Sequence, residues 1–307
     1  AASTVGGTLS ATATTGDISD SGNLTITGAA TFITGATGSN IVLDSSGNAF
    51  AAAVTMQADA GDEAFGNITF VDSAAVKLHS SAGTNGDLFI DGSTDLAVGG
   101  NLSITATTGN ITQGAAVTVT GASSFTTSAS NGTITLGETS NALTGAVSLS
   151  TSGSSGNATL VNASGLDLAA STVGGTLSAT ATTGDITDSG TLTITGAATF
   201  ITGATGSNIV LDSSGNAFAA AVTMQADAGD EAFGNITFVD SAAIDFATSA
   251  GSNGDLYINA STDGAVGGNL SITATTGDIT DSGNLTITGA ATFITGATGS
   301  NIVLDSS

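Results

Sequence analysis

The sequence predicts an all-β protein that folds as a parallel β-helix, also called a β-solenoid, with about 24 residues per coil. Three observations predict this fold. Long stretches of the 307-residue chain recur almost unchanged. A three-residue motif recurs at short, similar intervals within those stretches. Short alternating segments rich in Thr, Val and Ile lie between turns of Gly, Ser and Asn, which is the pattern of short strands.

Internal repetition runs through the whole chain. Residues 1–75 recur at 169–243 with two differences. The differing pairs are Ser19 with Thr187 and Asn23 with Thr191. A third copy begins at Gly267, and a more diverged copy begins at Gly99, where GGNLSITATTGNI is similar to the string GGTLSATATTGDI near the start of the chain. Repetition at a fixed period is the sequence signature of repeat architectures.

The repeats define two sequence modules, residues 1–168 and residues 169–307, of which the second is incomplete. In a solenoid each repeat packs only on its neighbours, and together they build one core. We therefore expect residues 1–307 to form one continuous β-solenoid segment.

A short anchor motif recurs inside each module, consisting of a small residue, then Asp or Asn, then in most copies a branched aliphatic residue. Its third position falls at Ile18, Ile41, Ile68, Leu88, Ile111, Ile134, Ala158, Ile186, Ile209, Ile236, Leu256, Ile279 and Ile302. Seven anchors fall in each 168-residue period, so one coil takes about 24 residues. We expect the aliphatic side chains to stack inside the solenoid, with one anchor per coil.

The middle position of the anchor motif predicts a polar ladder. Its residues are Asp17, Asn40, Asn67, Asp87, Asn110, Thr133, Asn157, Asp185, Asn208, Asn235, Asp255, Asp278 and Asn301. If these side chains stack about 4.8 Å apart, Asn amides can hydrogen-bond along the ladder, and an Asp between Asn neighbours accepts without meeting another carboxylate. Gly-Asp and Gly-Asn are also ordinary turn residues. Both interpretations place a turn at each anchor.

Tandem β-sandwiches are the alternative architecture. The copies of the GG motif lie 75 or 93 residues apart, close to the roughly 100 residues of an immunoglobulin-like domain. A β-sandwich does not explain, however, why the same residue types recur about every 24 residues. Its core usually contains a buried Trp or a corner Tyr, whereas this chain has no Trp and Tyr257 is its one Tyr. These points favour the solenoid.

Composition excludes several classes of protein. The net charge is −24, with one Lys or Arg, so the surface would repel the phosphates that a nucleic-acid-binding protein must neutralise. Cysteine is absent, which excludes disulfides and thiolate metal sites. Apolar residues make up 40% and charged residues 8%, which is the composition of a folding chain. No apolar run approaches the roughly 18 residues of a membrane helix, and no signal-peptide pattern opens the chain.

The strings GNLSITATTGNI, SGNLTITGAATF and VTVTGASSF resemble the repeats of filamentous-haemagglutinin-like giant adhesins of Gram-negative bacteria, which are exported by two-partner secretion. The resemblance is compositional and periodic, and it covers essentially the whole chain. It implies a right-handed parallel β-helix in an extracellular or cell-surface filament. The chain shows no secretion domain and no recognisable receptor-binding segment of that family.

Catalysis is not expected. His79 is the one His and Lys77 the one basic residue, and the second module has Ala247 and Asp245 in their places. A Ser-His-Asp arrangement, or the base of a β-helix polysaccharide lyase, therefore has no second set of candidates. We interpret Lys77 and His79 as solvated surface residues, and we predict a non-enzyme with no catalytic, cofactor-binding or metal-binding residues.

Two other β-solenoid functions stay open as alternatives. Acidic clusters that offer oxygen ligands for Ca²⁺ stand at Asp59, Asp62 and Glu63 and again at Asp227, Asp230 and Glu231. Solvated acidic loops explain the same residues. Thr-rich strands could form a hydroxyl array of the ice-binding type, although anchor steps between 20 and 28 residues argue against one flat face, and Thr is also a good strand residue.

The sequence therefore predicts a non-enzymatic structural fibre segment for adhesion, surface coating or matrix. Its expected partners are further coils or copies of the chain joined end to end, and a host or neighbouring-cell surface. Neither end of the sequence has a capping pattern, so we expect an interior stretch of a longer chain.

Overall fold

The computed structural model describes residues 1–58, 66–80, 87–90, 97–226, 234–247, 249, 251, 254–258 and 265–305. The chain divides into two compact units, Ala1–Gly153 and Ser154–Ser307. The described residues form strands and turns and contain no helix. The fold is a parallel β-solenoid of about 11 turns with about 23 residues per turn, which confirms the predicted fold class. That the chain is one continuous segment stays a prediction.

The first unit consists of short strands. They are β1 Ser3–Val5, β2 Leu9–Ala13, β3 Ile18–Ser19, β4 Leu24–Ile26, β5 Ala30–Thr34, β6 Ile41–Leu43, β7 Ala49–Phe50, β8 Val54–Gln57, β9 Ile68–Asp72, β10 Val76–Leu78, β11 Asp87–Ile90, β12 Ala97–Val98, β13 Leu102–Ala106, β14 Ile111–Gln113, β15 Thr118–Val119, β16 Ser123–Ser130, β17 Ile134–Leu136, β18 Ala142–Leu143 and β19 Val147–Ser152.

The second unit has the same construction. Its strands are β20 Ala158–Asn162, β21 Leu166–Leu168, β22 Ser171–Val173, β23 Leu177–Ala181, β24 Ile186–Asp188, β25 Leu192–Ile194, β26 Ala198–Thr202, β27 Ile209–Leu211, β28 Ala217–Phe218, β29 Val222–Gln225, β30 Ile236–Asp240, β31 Ile244–Phe246, β32 Asp255–Ile258, β33 Ala265–Val266, β34 Leu270–Ala274, β35 Ile279–Asp281, β36 Thr286–Ile287, β37 Ala291–Thr295 and β38 Ile302–Val303.

Two long parallel sheets form the walls of each unit. In the first unit, sheet I has the order β2-β5-β8-β11-β10-β14-β17 and sheet II the order β3-β6-β9-β13-β16-β19. In the second unit, sheet III has the order β20-β23-β26-β29-β32-β31-β35-β38 and sheet IV the order β21-β24-β27-β30-β34-β37. Short strands such as β1, β4 and β7 form a separate small sheet, also with parallel pairing. This parallel pairing contradicts the alternative of tandem antiparallel sandwiches.

The anchor stacking is confirmed for most of the anchors. In sheet II, Ile18 pairs with Ile41, and Ile41 with Ile68; in sheet I, Ile111 pairs with Ile134. The second unit repeats these pairings with Ile186, Ile209, Ile236, Ile279 and Ile302. Of the sheet II anchors, Ile41 and Ile68 are 0% exposed. Aliphatic stacking along the axis therefore builds the core.

The prediction of one anchor per coil is wrong at Leu88. This residue pairs with Val54 and Leu78 in sheet I, whereas Ile68 pairs with Leu102 in sheet II. The reason is a doubled passage, because the chain runs along sheet I twice, as β10 and then β11, before it returns to sheet II. β11 lies between β8 and β10, so the order of these rungs is the reverse of their order in the chain.

The second unit contains the same doubled passage, so the prediction is also wrong at Leu256. Leu256 pairs with Val222 and Phe246 in sheet III, whereas Ile236 pairs with Leu270 in sheet IV. Leu88 and Leu256 therefore begin no turn of their own. This explains why thirteen anchors correspond to about 11 turns.

Inward and outward side chains alternate along the strands, as in any sheet with one buried face. Aromatic side chains continue the core along the axis. The ring centroids of Phe32 and Phe50 are 6.2 Å apart and those of Phe50 and Phe70 are 5.2 Å apart. Between turns the backbone approaches so closely that a Cβ atom on Gly66 would lie 1.9 Å from the carbonyl oxygen of Ser39. Glycine at this anchor is thus a steric requirement.

Ser123 offers a test of this packing. It lies inward between Leu102 and Val147 in sheet II, and its buried Oγ has no hydrogen-bond partner. Because an unsatisfied buried hydroxyl costs about 1 to 3 kcal/mol, we expect Ser123→Ala to raise the free energy of unfolding by about 1 kcal/mol, measured by denaturant unfolding. Ser171→Ala is the matched control, since the Ser171 hydroxyl donates to the Ala169 carbonyl at 2.8 Å; it should lower stability. Equal effects of both changes would contradict this account.

Candidate functional site

A ladder of Asp and Asn side chains runs along one corner of the first unit. Asp17 Oδ1 accepts from the backbone N–H of Asn40 at 2.7 Å and from its Nδ2 at 3.2 Å. Asn40 Oδ1 accepts from both nitrogens of Asn67 at 2.8 Å. The ladder continues from Asn67 to Asn101 N–H and from Asn101 to Ala122 N–H, each at 2.8 Å. Each side chain therefore satisfies a backbone donor of the next turn.

The second unit repeats the ladder with nearly the same distances. Asn208 donates from N and Nδ2 to Asp185 Oδ1 at 2.7 and 3.1 Å. Asn235 donates to Asn208, Asn269 N–H to Asn235, and Ala290 N–H to Asn269, each at 2.8 Å. In both units the Asp begins the ladder, where it only accepts, and the residues above it are Asn, which both accept and donate.

The predicted ladder is thus confirmed in part and needs two corrections. Asp87 and Asp255 are not its members, because both lie in the doubled passages. Their places are taken by Asn101 and Asn269, which the sequence analysis missed. The signal was present, since Gly-Asn-Leu at each of these positions has the anchor pattern. Asn110, Asn157 and Asp278 were also predicted as members, but they precede strands of sheets I and III and lie outside the ladder. Each of them accepts from one backbone N–H of the following turn.

A second polar corner was not predicted. Asp20 accepts from the backbone of Asp44 at 3.0 Å and from Asn48 Nδ2 at 2.6 Å, and Asn48 Oδ1 accepts from Leu24 N–H at 2.8 Å. In the second unit the corresponding pair is Asp188 and Asn216, at 2.7 Å. These residues lie outside the anchor motif, so its period gave no indication of their contact.

Two buried carboxyl groups lie near this corner. Asp72 and Asp240 are 2% and 3% exposed. Asp72 Oδ1 accepts from Phe50 N–H at 3.2 Å, and Asp240 Oδ1 from Phe218 N–H at 3.1 Å. Burial raises the pKa of both carboxyl groups above the ordinary value, and the backbone hydrogen bonds offset only part of this effect.

Lys77 and His79 lie on the outer face of sheet I and are partly exposed, as the sequence suggested. Asp87 is the cross-strand neighbour of Lys77. A Cβ atom on Gly114 would lie 2.6 Å from His79 Cδ2 and 2.9 Å from Lys77 Cε, so both side chains lie over Gly114. The structure therefore brings together the chain's one Lys and one His, at the doubled passage.

The acidic clusters Asp59, Asp62, Glu63 and Asp227, Asp230, Glu231 lie outside the described residues, and calcium binding there stays a prediction. Within the described ranges, no three His, Cys, Asp or Glu side chains are grouped closely enough to hold a metal ion. The described part of the chain also contains no helix that is long and apolar enough to cross a membrane.

Comparison with protein families gives one match, to a family described as "Repeats of unknown function (DUF5649)", over residues 1–57, 65–150, 155–225 and 254–307. The chain belongs to this family of repeats. No curated protein matches the chain, and no solved structure matches it. The family description names no function and no secretion route, so the similarity to filamentous-haemagglutinin-like adhesins stays a prediction from sequence.

The family match follows the modules. It is interrupted after residue 57 and again after residue 225, which is the same point of each 168-residue module and the last residue of β8 or β29. All members of both Asp/Asn ladders lie inside matched segments, except Asn235. The matched segments therefore contain most of both ladders.

Asn208→Asp tests the ladder directly. The new carboxylate would face Asp185 and could not donate to it, so we expect the free energy of unfolding to fall by about 1 to 3 kcal/mol at neutral pH. The loss should diminish below about pH 4, where carboxyl groups protonate. Asn157→Asp is the matched control, because the Asn157 side chain accepts from Thr176 N–H and an Asp can do the same. Equal losses at both positions would contradict the ladder.

The buried carboxyl groups predict a pH dependence of stability. Since the folded pKa values of Asp72 and Asp240 are raised above 3.8, the folded state binds these protons more tightly, and stability falls as pH rises through the raised values. We expect the double variant Asp72→Asn, Asp240→Asn to be more stable than the parent at pH 7, with the gain disappearing below pH 3.8. Asp44→Asn, at an exposed position, should give no such gain. Thermal unfolding across pH measures the difference.

Proposed function

We propose that this chain is a non-enzymatic structural segment of a filament on the bacterial cell surface or outside the cell, used for adhesion, surface coating or matrix. The observation that carries the proposal is the residue-by-residue parallel register between turns, with the same corner hydrogen bonds in both units. Such an architecture lengthens by adding turns, and each added turn is stabilised by the one before.

Surface charge supports a filament that extends along its axis. The net charge is −24 with a single basic residue, and like charges on the sides of neighbouring chains repel each other at short range. Lateral aggregation of the sheets is thereby opposed, whereas stacking along the axis uses backbone hydrogen bonds and apolar contacts.

The proposal is tested in the producing cell. Antibodies against this chain should label intact cells, and external protease should remove the label. An in-frame deletion of residues 19–186 joins Ile18 to Thr187, which restores the sequence found at Ile186, so the shortened chain should fold and still reach the surface. Retention of the chain inside the cell, out of reach of protease, would overturn the proposed location.

Ice binding is a second candidate, favoured by one observation. Sheet II presents outward hydroxyl pairs on three successive rungs, namely Ser103 with Thr105, Ser124 with Thr126, and Ser148 with Ser150. The unequal coil lengths do not disturb this array, because its residues stay in register from rung to rung. The hydroxyls repeat about 4.8 Å along the axis and about 6.6 Å along the strand.

A thermal-hysteresis measurement tests this candidate. The parent chain should depress the freezing point below the melting point, and Ser124→Lys with Thr126→Lys should abolish the effect, because two ammonium groups in the middle of the array disrupt its flat surface. Lysines at Thr159 and Val161, on sheet III, are the control. Absence of hysteresis in the parent chain would eliminate the candidate.

A further inference from the structure

The outer face of sheet I carries a compact group of chemically distinct side chains at the doubled passage. We call Lys77, His79, Asp87 and Phe89, together with the adjacent Gly114, the cationic patch. Lys77 lies opposite Asp87, and Leu78 opposite Leu88, so His79 is level with Phe89 on the neighbouring strand. Adjacent strands are about 4.8 Å apart. An ammonium group, an imidazole and a phenyl ring therefore lie close together on this face, beside Asp87, which is 5% exposed.

Phe89 distinguishes this surface from the rest of the molecule. Along β11 the neighbours Leu88 and Ile90 point inward, and Phe89 points outward and is partly exposed. Among the described aromatic residues, only Phe89 and Tyr257, its counterpart in the second module, occupy outward strand positions. An outward aromatic ring gains nothing from the core, and it offers a flat apolar surface on which a ligand ring can stack.

The second module shows a concerted change at the same backbone positions. Lys77 is replaced by Asp245, His79 by Ala247 and Gly114 by Ser282. Asp245 accepts from Thr280 Oγ1 at 2.8 Å and from the hydroxyl of Ser282. In the second module, hydrogen bonds from neighbouring hydroxyl groups therefore satisfy the Asp245 carboxylate. In the first module the glycine leaves room for the two longer side chains of Lys77 and His79.

Charge limits the ligand that the cationic patch could bind. Lys77 is the only Lys or Arg in a chain of net charge −24, so a long polyanion would be repelled along most of its length. A single carboxylate on an otherwise neutral molecule need contact only the Lys77 ammonium group, beside the His79 imidazole. Phe89 adds a stacking surface, and Thr112, the neighbour of Lys77 on β14, adds a hydroxyl that can hydrogen-bond to a sugar.

We propose that the cationic patch binds a saccharide that carries one carboxylate, of which a terminal uronic acid residue is the simplest form. The sugar ring stacks on Phe89, and its carboxylate lies at Lys77 and His79. The second module, with Asp245 and Ala247, does not bind this ligand. The binding follows from the patch itself and holds whether or not the chain is part of a surface filament.

The single His and single Lys make this proposal directly measurable by NMR. In a titration of the purified chain with methyl β-D-glucuronide at constant pH and ionic strength, the His79 Hε1 signal and the Lys77 ε-methylene signal should shift saturably. The dissociation constant should be about 1 to 10 mM for one charged and one stacking contact. The Tyr257 ring signals should not move, which makes the second module an internal control.

Variants of the chain and changes of the ligand separate the contribution of the charge contact from that of aromatic stacking. Lys77→Gln removes the ammonium group and retains both Gly114 and the His79 reporter; the His79 signal should no longer shift saturably. Phe89→Thr should weaken binding about fivefold, whereas Phe89→Tyr should not. Methyl β-D-glucoside should bind at least about tenfold more weakly, because it lacks the carboxylate.

Three results would overturn the proposal. The first is the absence of a saturable shift up to about 100 mM glucuronide, well above the expected dissociation constant. The second is an unchanged response in the Lys77→Gln variant. The third is an equal response to sodium acetate at the same concentration, which would show that the patch attracts any small anion. Because the experiment uses purified protein, its failure would leave the structural role and the cell-surface location unaffected.

Discussion

The hydrogen-bonded pairing of each strand with its counterparts one turn before and one turn after is the interaction on which the rest of this structure depends. A two-residue or three-residue strand such as β3 or β6 has no stability of its own. It is held because Ile18 and Ile41 occupy the same position in successive turns, so that backbone donors, backbone acceptors and aliphatic side chains all meet their equivalents. The packing constraint on a residue therefore comes mainly from residues about 23 positions away.

The corners show the same dependence. Where a strand begins, the regular backbone ladder is interrupted, and a buried or half-buried N–H group needs another acceptor. Side-chain oxygens of Asp17, Asn40 and Asn67 supply it, each for the next turn. An Asn can extend such a ladder because it both accepts and donates, whereas an Asp can only begin it. The order of Asp and Asn along the axis thus follows from hydrogen-bond chemistry.

Much of this fold could be predicted from sequence because the length of one solenoid turn sets the spacing of the repeated residues. Stacking of Ile18, Ile41 and Ile68 follows from their period, and so does the ladder through Asn40 and Asn67. The doubled passage could not be predicted in the same way. Leu88 has the anchor pattern and the expected spacing, yet the competing pairing with Val54 and Leu78 buries it equally well. A period indicates which residues are equivalent, and it does not indicate which sheet the chain enters next.

The candidate binding surface was even less accessible to sequence analysis, because its members come from three separate segments. Lys77 and His79, Asp87 and Phe89, and Gly114 are adjacent only because β11 lies beside β10 and β10 beside β14. In the sequence alone, Lys77 and His79 are only an ammonium group and an imidazole that lie two residues apart. The outward position of Phe89 follows from the alternation of side chains along a strand. Its nearness to His79 depends on the reversed order of β10 and β11 in sheet I.

The two modules also show which positions the fold leaves free to change. Residues 1–75 differ from their copies at two positions, whereas residues 76–79 differ from residues 244–247 at all four. Within those four, the inward residues Val76 and Leu78 become Ile244 and Phe246 and remain buried, because the core requires apolar side chains. The outward residues change charge or lose their polar group. Stacking thus fixes the inward half of each strand, and in these repeats new surface chemistry can arise on the outward half without cost to the core.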